Sequence, residues 1–170
     1  MGFFYFRWDK LVEMRLLFLL IVLKLLSAID NKAYAQQSRY RFFHYTPDEG
    51  LIDNTVRCFL KDRSGFLWIG TNSGLSRFDG FRFTNFMCNP ADSSSLSSNQ
   101  VVHLFEDSQG QIWISTHDNG LSVFDPRKNR FKRFVYNPNK PNGVPNNNPT
   151  AVCYDAAGNM WIGFFGKGLA

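Results

Sequence analysis

Apolar residues fall along this chain in two textures. Residues 16–23 read LLFLLIVL, and after Lys24 the run resumes as LLSAI. From residue 39 onward the apolar positions instead come in short groups, each closed by Gly, Asn, Asp or Pro. Residues 56–62 and 101–107 are rich in apolar and β-branched side chains and predict first strands. An Asp-x-x-Gly follows each, which is hairpin chemistry: Asp caps the turn and Gly supplies a positive φ. Residues 66–71 and 111–116 predict second strands. After Asn72-Ser73-Gly74 and Asp118-Asn119-Gly120 come third strands over 75–79 and 121–125, then fourth strands over 82–86 and 130–135. The aromatic spacing of three in the fourth strands breaks strict alternation, which leaves a bulge or a strand-end aromatic open.

These groups are copies of one another. Asp62, Gly65 and Trp68 recur as Asp107, Gly110 and Trp113, and again as Asp155, Gly158 and Trp161. Gly74-Leu75-x-x-Phe78-Asp79 recurs as Gly120-Leu121-x-x-Phe124-Asp125 and begins again at Gly168-Leu169-Ala170. Phe83-x-x-Phe86-x-x-x-Pro90 matches Phe131-x-x-Phe134-x-x-x-Pro138, and also Tyr40-x-x-Phe43-x-x-x-Pro47 ahead of the first unit. Four short antiparallel strands in each unit of about 45 residues is the blade of a β-propeller. The fold expected is therefore all-β: an orphan outer strand over about 39–46, blades over about 51–95 and 96–147, and a partial third over 148–170. Trp is followed by Ile, with no Gly-His or Trp-Asp in register, which disfavours the WD40 type.

The first texture has a different use. An apolar run this short falls below the roughly 20 residues of a membrane span. It suits the core of a secretory signal, with Ala33-Tyr34-Ala35 as the small-x-small cleavage site. A signal peptide over 1–35 is expected, with Gln36 as the first mature residue and Met14 as an alternative start; an uncleaved anchor is the rival. No cysteine follows the cut, which argues against a lipid anchor.

Composition narrows the chemistry. Lys+Arg 19 against Asp+Glu 14 gives a net charge of +5, spread too thinly for a nucleic-acid footprint. The three cysteines show neither C-x-x-C nor metal-ligand spacing, and His44, His103 and His117 share no register. The Gly163-x-x-Gly166-Lys167-Gly168 stretch lacks the spacing of a phosphate loop and reads as a turn. No nucleophile–base arrangement is recognisable. No catalytic, metal or cofactor residues are expected, and this chain is not expected to be an enzyme. The three repeat Trp residues are expected as blade-to-blade core rather than sugar platforms, the repeat Asp residues as turn formers, and Cys58 and Cys153 as buried apolar groups.

The pattern D-x-x-G-x-[LIM]-W-I-G-T…G-L-x-x-F-D resembles the two-component regulator propeller repeat. Ser115 departs from the usual Gly, and Phe164-Phe165 from the usual Thr-x. The resemblance implies an exported sensor region of Bacteroidetes hybrid two-component systems, in which a propeller precedes a membrane span, a histidine kinase and a receiver. It implies oligosaccharide ligands, a homodimeric parent and a periplasmic location. Rival readings are the same propeller fused to a diguanylate cyclase or DNA-binding regulator, or part of a secreted propeller enzyme such as a lyase. Closed rings take roughly four to eight blades, so an N-terminal piece of a longer protein is expected. The orphan strand would then clasp the ring, and the remaining blades and downstream domains would be its partners. Ligand contacts are expected from loops at one end: Asn72, His117, Asp118, Asn119, Phe164, Phe165 and Lys167, with the connections 92–99 and 139–148.

Overall fold

The computed structural model describes residues 13–24 and 40–170. The chain divides into two units, Met1–Phe43 and His44–Ala170. In the first, residues 13–24 are α-helical and exposed. Among the described residues no helix is long and apolar enough to cross a membrane. The rest of the expected leader, including the cut after Ala35, lies outside the described residues.

The second unit is three antiparallel sheets in chain order. The first is β1 (Val56–Lys61), β2 (Leu67–Thr71), β3 (Leu75–Phe78) and β4 (Phe83–Phe86). The next is β5 (Val101–Glu106), β6 (Ile112–Thr116), β7 (Leu121–Asp125) and β8 (Arg130–Phe134). The last has three strands, β9 (Pro149–Tyr154), β10 (Met160–Phe164) and β11 (Gly168–Leu169). Each strand expected within the two full blades is present to within about a residue at its ends. Strand order within every sheet follows the sequence, as hairpins dictate.

The inner strands β1, β5 and β9 lie side by side, so the sheets radiate like blades. Each inner strand carries one extra residue relative to its partner, at Arg57, Val102 and Thr150. The bulge thus sits in the first strand of each blade, not the fourth. The outer strands β4 and β8 pair without a break. Their three-residue aromatic spacing puts the two rings on opposite faces: Phe83 meets Tyr45 and Phe78, while Phe86 meets Trp68, Phe124 and Phe131.

Blade-to-blade packing supplies the core. Trp68, Leu75 and Phe86 of the first blade pack with Leu96, Val101, Leu104, Phe124 and Phe131 of the second. The next seam is smaller: Leu121 against Val152 and Phe164, joined by Phe105 and Phe134. Burial of the repeated Trp follows this gradient. Trp68 is 1% exposed under Phe124. Trp113 stacks on Phe134 at 5.7 Å and is half-buried. Trp161 is 41% exposed, which corrects the expectation of a core position for all three. Register places the ring over each Trp on the third strand of the following blade, and no described sheet follows β10.

Two other expectations change. Residues 40–46 form no strand, because a strand exists only against a partner and none lies beside them among the described residues. Tyr45 nevertheless packs against Phe78 in a tilted contact and Phe83 edge-on, at 5.1 and 5.6 Å, and Thr46 caps a single 3-10 turn, Pro47–Glu49. Cys153 is exposed, whereas Cys58 is half-buried and its thiol is pushed up to about 11 by burial.

Candidate functional site

The Asp-x-x-Gly-x-x-Trp spacing builds the same latch three times. Phe66 N–H donates to Asp62 Oδ1 at 2.9 Å, and Trp68 Nε1–H donates to Asp62 Oδ2 at 2.8 Å. In the second blade Gln109 and Gln111 N–H donate to Asp107 Oδ1, and Trp113 Nε1–H to Oδ2 at 3.0 Å. Asp155 and Trp161 repeat this at 3.0 Å. Both oxygens of each carboxylate are therefore occupied within the turn, a structural role. The turn glycines Gly65, Gly110 and Gly158 all sit at φ between 77 and 93, a conformation costly for side chains with a Cβ. Asp155 is held down to about 2, chiefly by the Asn159 amide and the Trp161 indole.

A further periodic element lies just before each first strand. Leu51, Leu96 and Val144 recur with Asn54, Asn99 and Asn147 three residues on. Asn99 Oδ1 accepts from Cys88 N–H at 2.6 Å, and Asn147 Oδ1 from Tyr136 N–H at 2.7 Å, which pins each long connection. The third-strand serines complete the pattern: Ile52 N–H donates to Ser76 Oγ and Ser97 N–H to Ser122 Oγ. The third copy has Pro145 without an N–H and Ala170 without a hydroxyl, so both halves of that bond are lost together. This register starts the third blade at Val144, four residues before the expected 148. It was readable in the sequence, but a lone Leu and Asn per copy stand out less than Trp.

The expected ligand loops all lie at one end of the blades, between second and third strands, beside the connections that enter each first strand. At the first blade Asn72 Oδ1 accepts from Arg57 Nε, and Ser73 Oγ donates to Asp53 Oδ2. These side chains close the loop on itself. Between the second and third blades the same end opens into a cleft of about 400 Å³. Val102, His117 and Asp118 line it from one side, and Asn148, Pro149, Thr150 and Phe165 from the other.

His117 Nδ1 lies 2.6 Å from Asp118 Oδ2. Asp118 adopts φ 64, and its N–H donates to Asn148 Oδ1 at 2.9 Å. Backbone bonds cross the seam here, Gly120 N–H to Asn147 O at 2.8 Å, while Phe165 N–H donates to Asn148 O at 2.9 Å. The structure thus brings His117, Asp118 and Phe165 together. Asn72 belongs to the closed first loop, and Asn119 and Lys167 are exposed outside the cleft lining. Phe164 is not a loop residue: it ends β10 and packs in the seam core. Among the described residues no group of three or more His, Cys, Asp or Glu is placed to hold a metal ion.

A larger groove of about 740 Å³ runs over Trp113, Val123, Lys132 and Phe134. It corresponds in register to the face of the first blade that Phe124 and Phe131 cover.

Comparison with known proteins adds four findings. A family model for the two-component regulator propeller matches residues 50–73, 95–118 and 143–166, each beginning one residue before the Leu/Val-x-x-Asn element. Histidine kinase P4 of Formosa agariphila is 43% identical over 63 residues, covering 37% of this chain and 5% of the kinase. The extracellular domain of a hybrid two-component system from B. thetaiotaomicron is 27% identical with a TM-score of 0.69, covering 75% of this chain and 18% of that one. The extracellular domain of a one-component system from the same organism has a TM-score of 0.62 at 23% identity, covering 78% of this chain and 19% of that one, and shares the fold. The chain spans less than a fifth of each of these relatives.

Proposed function

From a chain that carries two-component regulator propeller repeats, we propose that it forms part of the exported sensor region of a hybrid two-component histidine kinase, reading oligosaccharides in the periplasm. The observation that carries this reading is the agreement of three in-register repeats with a 27% identical extracellular domain over 75% of the chain. The apolar run over 16–23 supports export as a signal-peptide core. Blades act as scaffold, with their cores and latches repeated, while the loops at one end vary, the usual place for recognition.

Ligand binding at that end would bias a dimeric ectodomain between two arrangements and so set kinase output across the membrane. No kinase chemistry is assigned to these residues. The test is genetic and biochemical: delete the codons for residues 40–170 in frame and follow transcription during growth on a panel of polysaccharides. Loss of induction by one polysaccharide, with basal expression kept, is the expected result. Unchanged induction on every polysaccharide overturns the reading.

A further inference from the structure

We propose that the cleft between the second and third blades binds a neutral pyranose ring, with Phe165 under its face and Asp118, His117 and Thr150 at its hydroxyls. This rests on the sensor reading and deepens it by assigning a site and a ligand class.

Comparison of the repeats with one another carries the inference. The same positions in the first blade hold Arg57, Asn72 and Ser73, and their side chains are satisfied locally, Arg57 on Asn72 and Ser73 on Asp53. At the next seam those positions hold Val102 and Thr150, His117 and Phe165, and Asp118. The loops are also longer: three residues separate Thr116 from Gly120 and Phe164 from Gly168, where two separate Thr71 from Gly74. The scaffold repeats and the cleft does not.

Packing among the described residues does not account for the aromatic. Phe164 already fills the seam core at 5% exposure, whereas its neighbour Phe165 stands 75% exposed at the cleft. An exposed ring with a negative face suits the weakly positive C–H face of a sugar. The polar groups supply the rest: a carboxylate acceptor, an imidazole, a hydroxyl and the Asn148 amide converge from both blades. Backbone contacts fix their positions, Asp118 through Asn148 Oδ1 and Phe165 through Asn148 O.

Charge selects the class. The Asp118 carboxylate faces the cleft with the His117 imidazole beside it, and no Lys or Arg is among the described lining residues, so an acidic sugar meets like charge rather than a basic partner. At about 400 Å³ the space falls in the range of small-molecule sites.

The test uses the full chain with maltose, cellobiose and xylobiose as neutral probes and glucuronic acid as the acidic comparator, read by saturation-transfer NMR. At least one neutral probe should receive saturation at its ring C–H protons. Phe165→Ala and Asp118→Asn should each weaken its binding by about tenfold, while Gln109→Ala, in a turn at the opposite end, leaves it unchanged. Binding of the acid alone, of no probe, or of a probe indifferent to Phe165→Ala overturns the cleft assignment. Sugar-dependent induction that survives Phe165→Ala in the parent protein leaves the sensor reading standing without this cleft. Neutral-probe binding with no loss of induction on deleting 40–170 removes the sensor reading and keeps the cleft.

Discussion

Replacing Asp107 by Asn is the most informative single change, because it alters one oxygen of a buried latch and almost no volume. Asp107 is 4% exposed. Its Oδ1 accepts from Gln109 and Gln111 N–H at 2.9 and 2.8 Å, and its Oδ2 from Trp113 Nε1–H at 3.0 Å. The Asn side chain keeps one oxygen for the backbone donors but turns an NH2 toward the indole, so two donors face each other. A hydrogen bond to a charged acceptor is worth about 1.5–3 kcal/mol, and the stranded indole N–H adds its own desolvation. A loss of about 2 kcal/mol is expected from urea unfolding followed by circular dichroism, together with faster exchange of the Trp113 indole proton in 15N spectra. Asp155→Asn makes the same chemical change where Trp161 is exposed, so water can replace the bond and the loss should be smaller. Equal losses at the two sites, or an Asp107→Asn protein within about 0.5 kcal/mol of the parent, would refute the latch as a buried stabilising element.

Three other outcomes follow from the geometry. A Cβ on Gly70 would lie 2.5 Å from both Cys58 Sγ and Val101 Cγ1, so Gly70→Ala should cost about 1–3 kcal/mol through overpacking at the first seam, measured by the same unfolding curves. Ser115 is fully buried opposite His103, and neither its Oγ nor His103 Nδ1 has a partner among the described residues; Ser115→Ala should raise the unfolding free energy from urea curves by about 1 kcal/mol, and a fall of that size would count against it. Acid should act in two steps: burial lowers the His103 pKa from its ordinary 6.5, so stability drops first as pH falls below 6.5. Asp155, with a folded pKa of about 2 against 3.8, then contributes stability present above about pH 4 and lost as pH falls toward 2. A His103→Asn protein should lose only the first step, and retention of both steps would remove His103 from the account.

Short-range patterns carried most of the fold. Turn chemistry at Asp62-x-x-Gly65 and its copies set the hairpins, and apolar runs set the strands, because both are decided within a few residues. The indole bond within each latch followed from the constant spacing of Asp and Trp only once the turn was seen in three dimensions. Exposure of Trp161, burial of Phe164 and the missing strand at 40–46 depend on which neighbouring sheet is present, and no local pattern reports that. Of the candidate site, His117, Asp118 and Phe165 were legible as loop residues at one end. Their convergence with Asn148 and Thr150 was not, since it arises from the way one blade leans on the next.

The proposal to be tested is that these blades form part of the sensor region of a hybrid two-component kinase. Sequencing the genomic locus through and beyond codon 170 tests it most directly. The expected result is an open frame that completes Gly168-Leu169-x-x with Phe-Asp, continues through further Asp-x-x-Gly-x-x-Trp units and reaches a membrane span and a histidine-kinase module. A stop codon shortly after Ala170, or a frame that carries the blades to an end without a kinase, would contradict it.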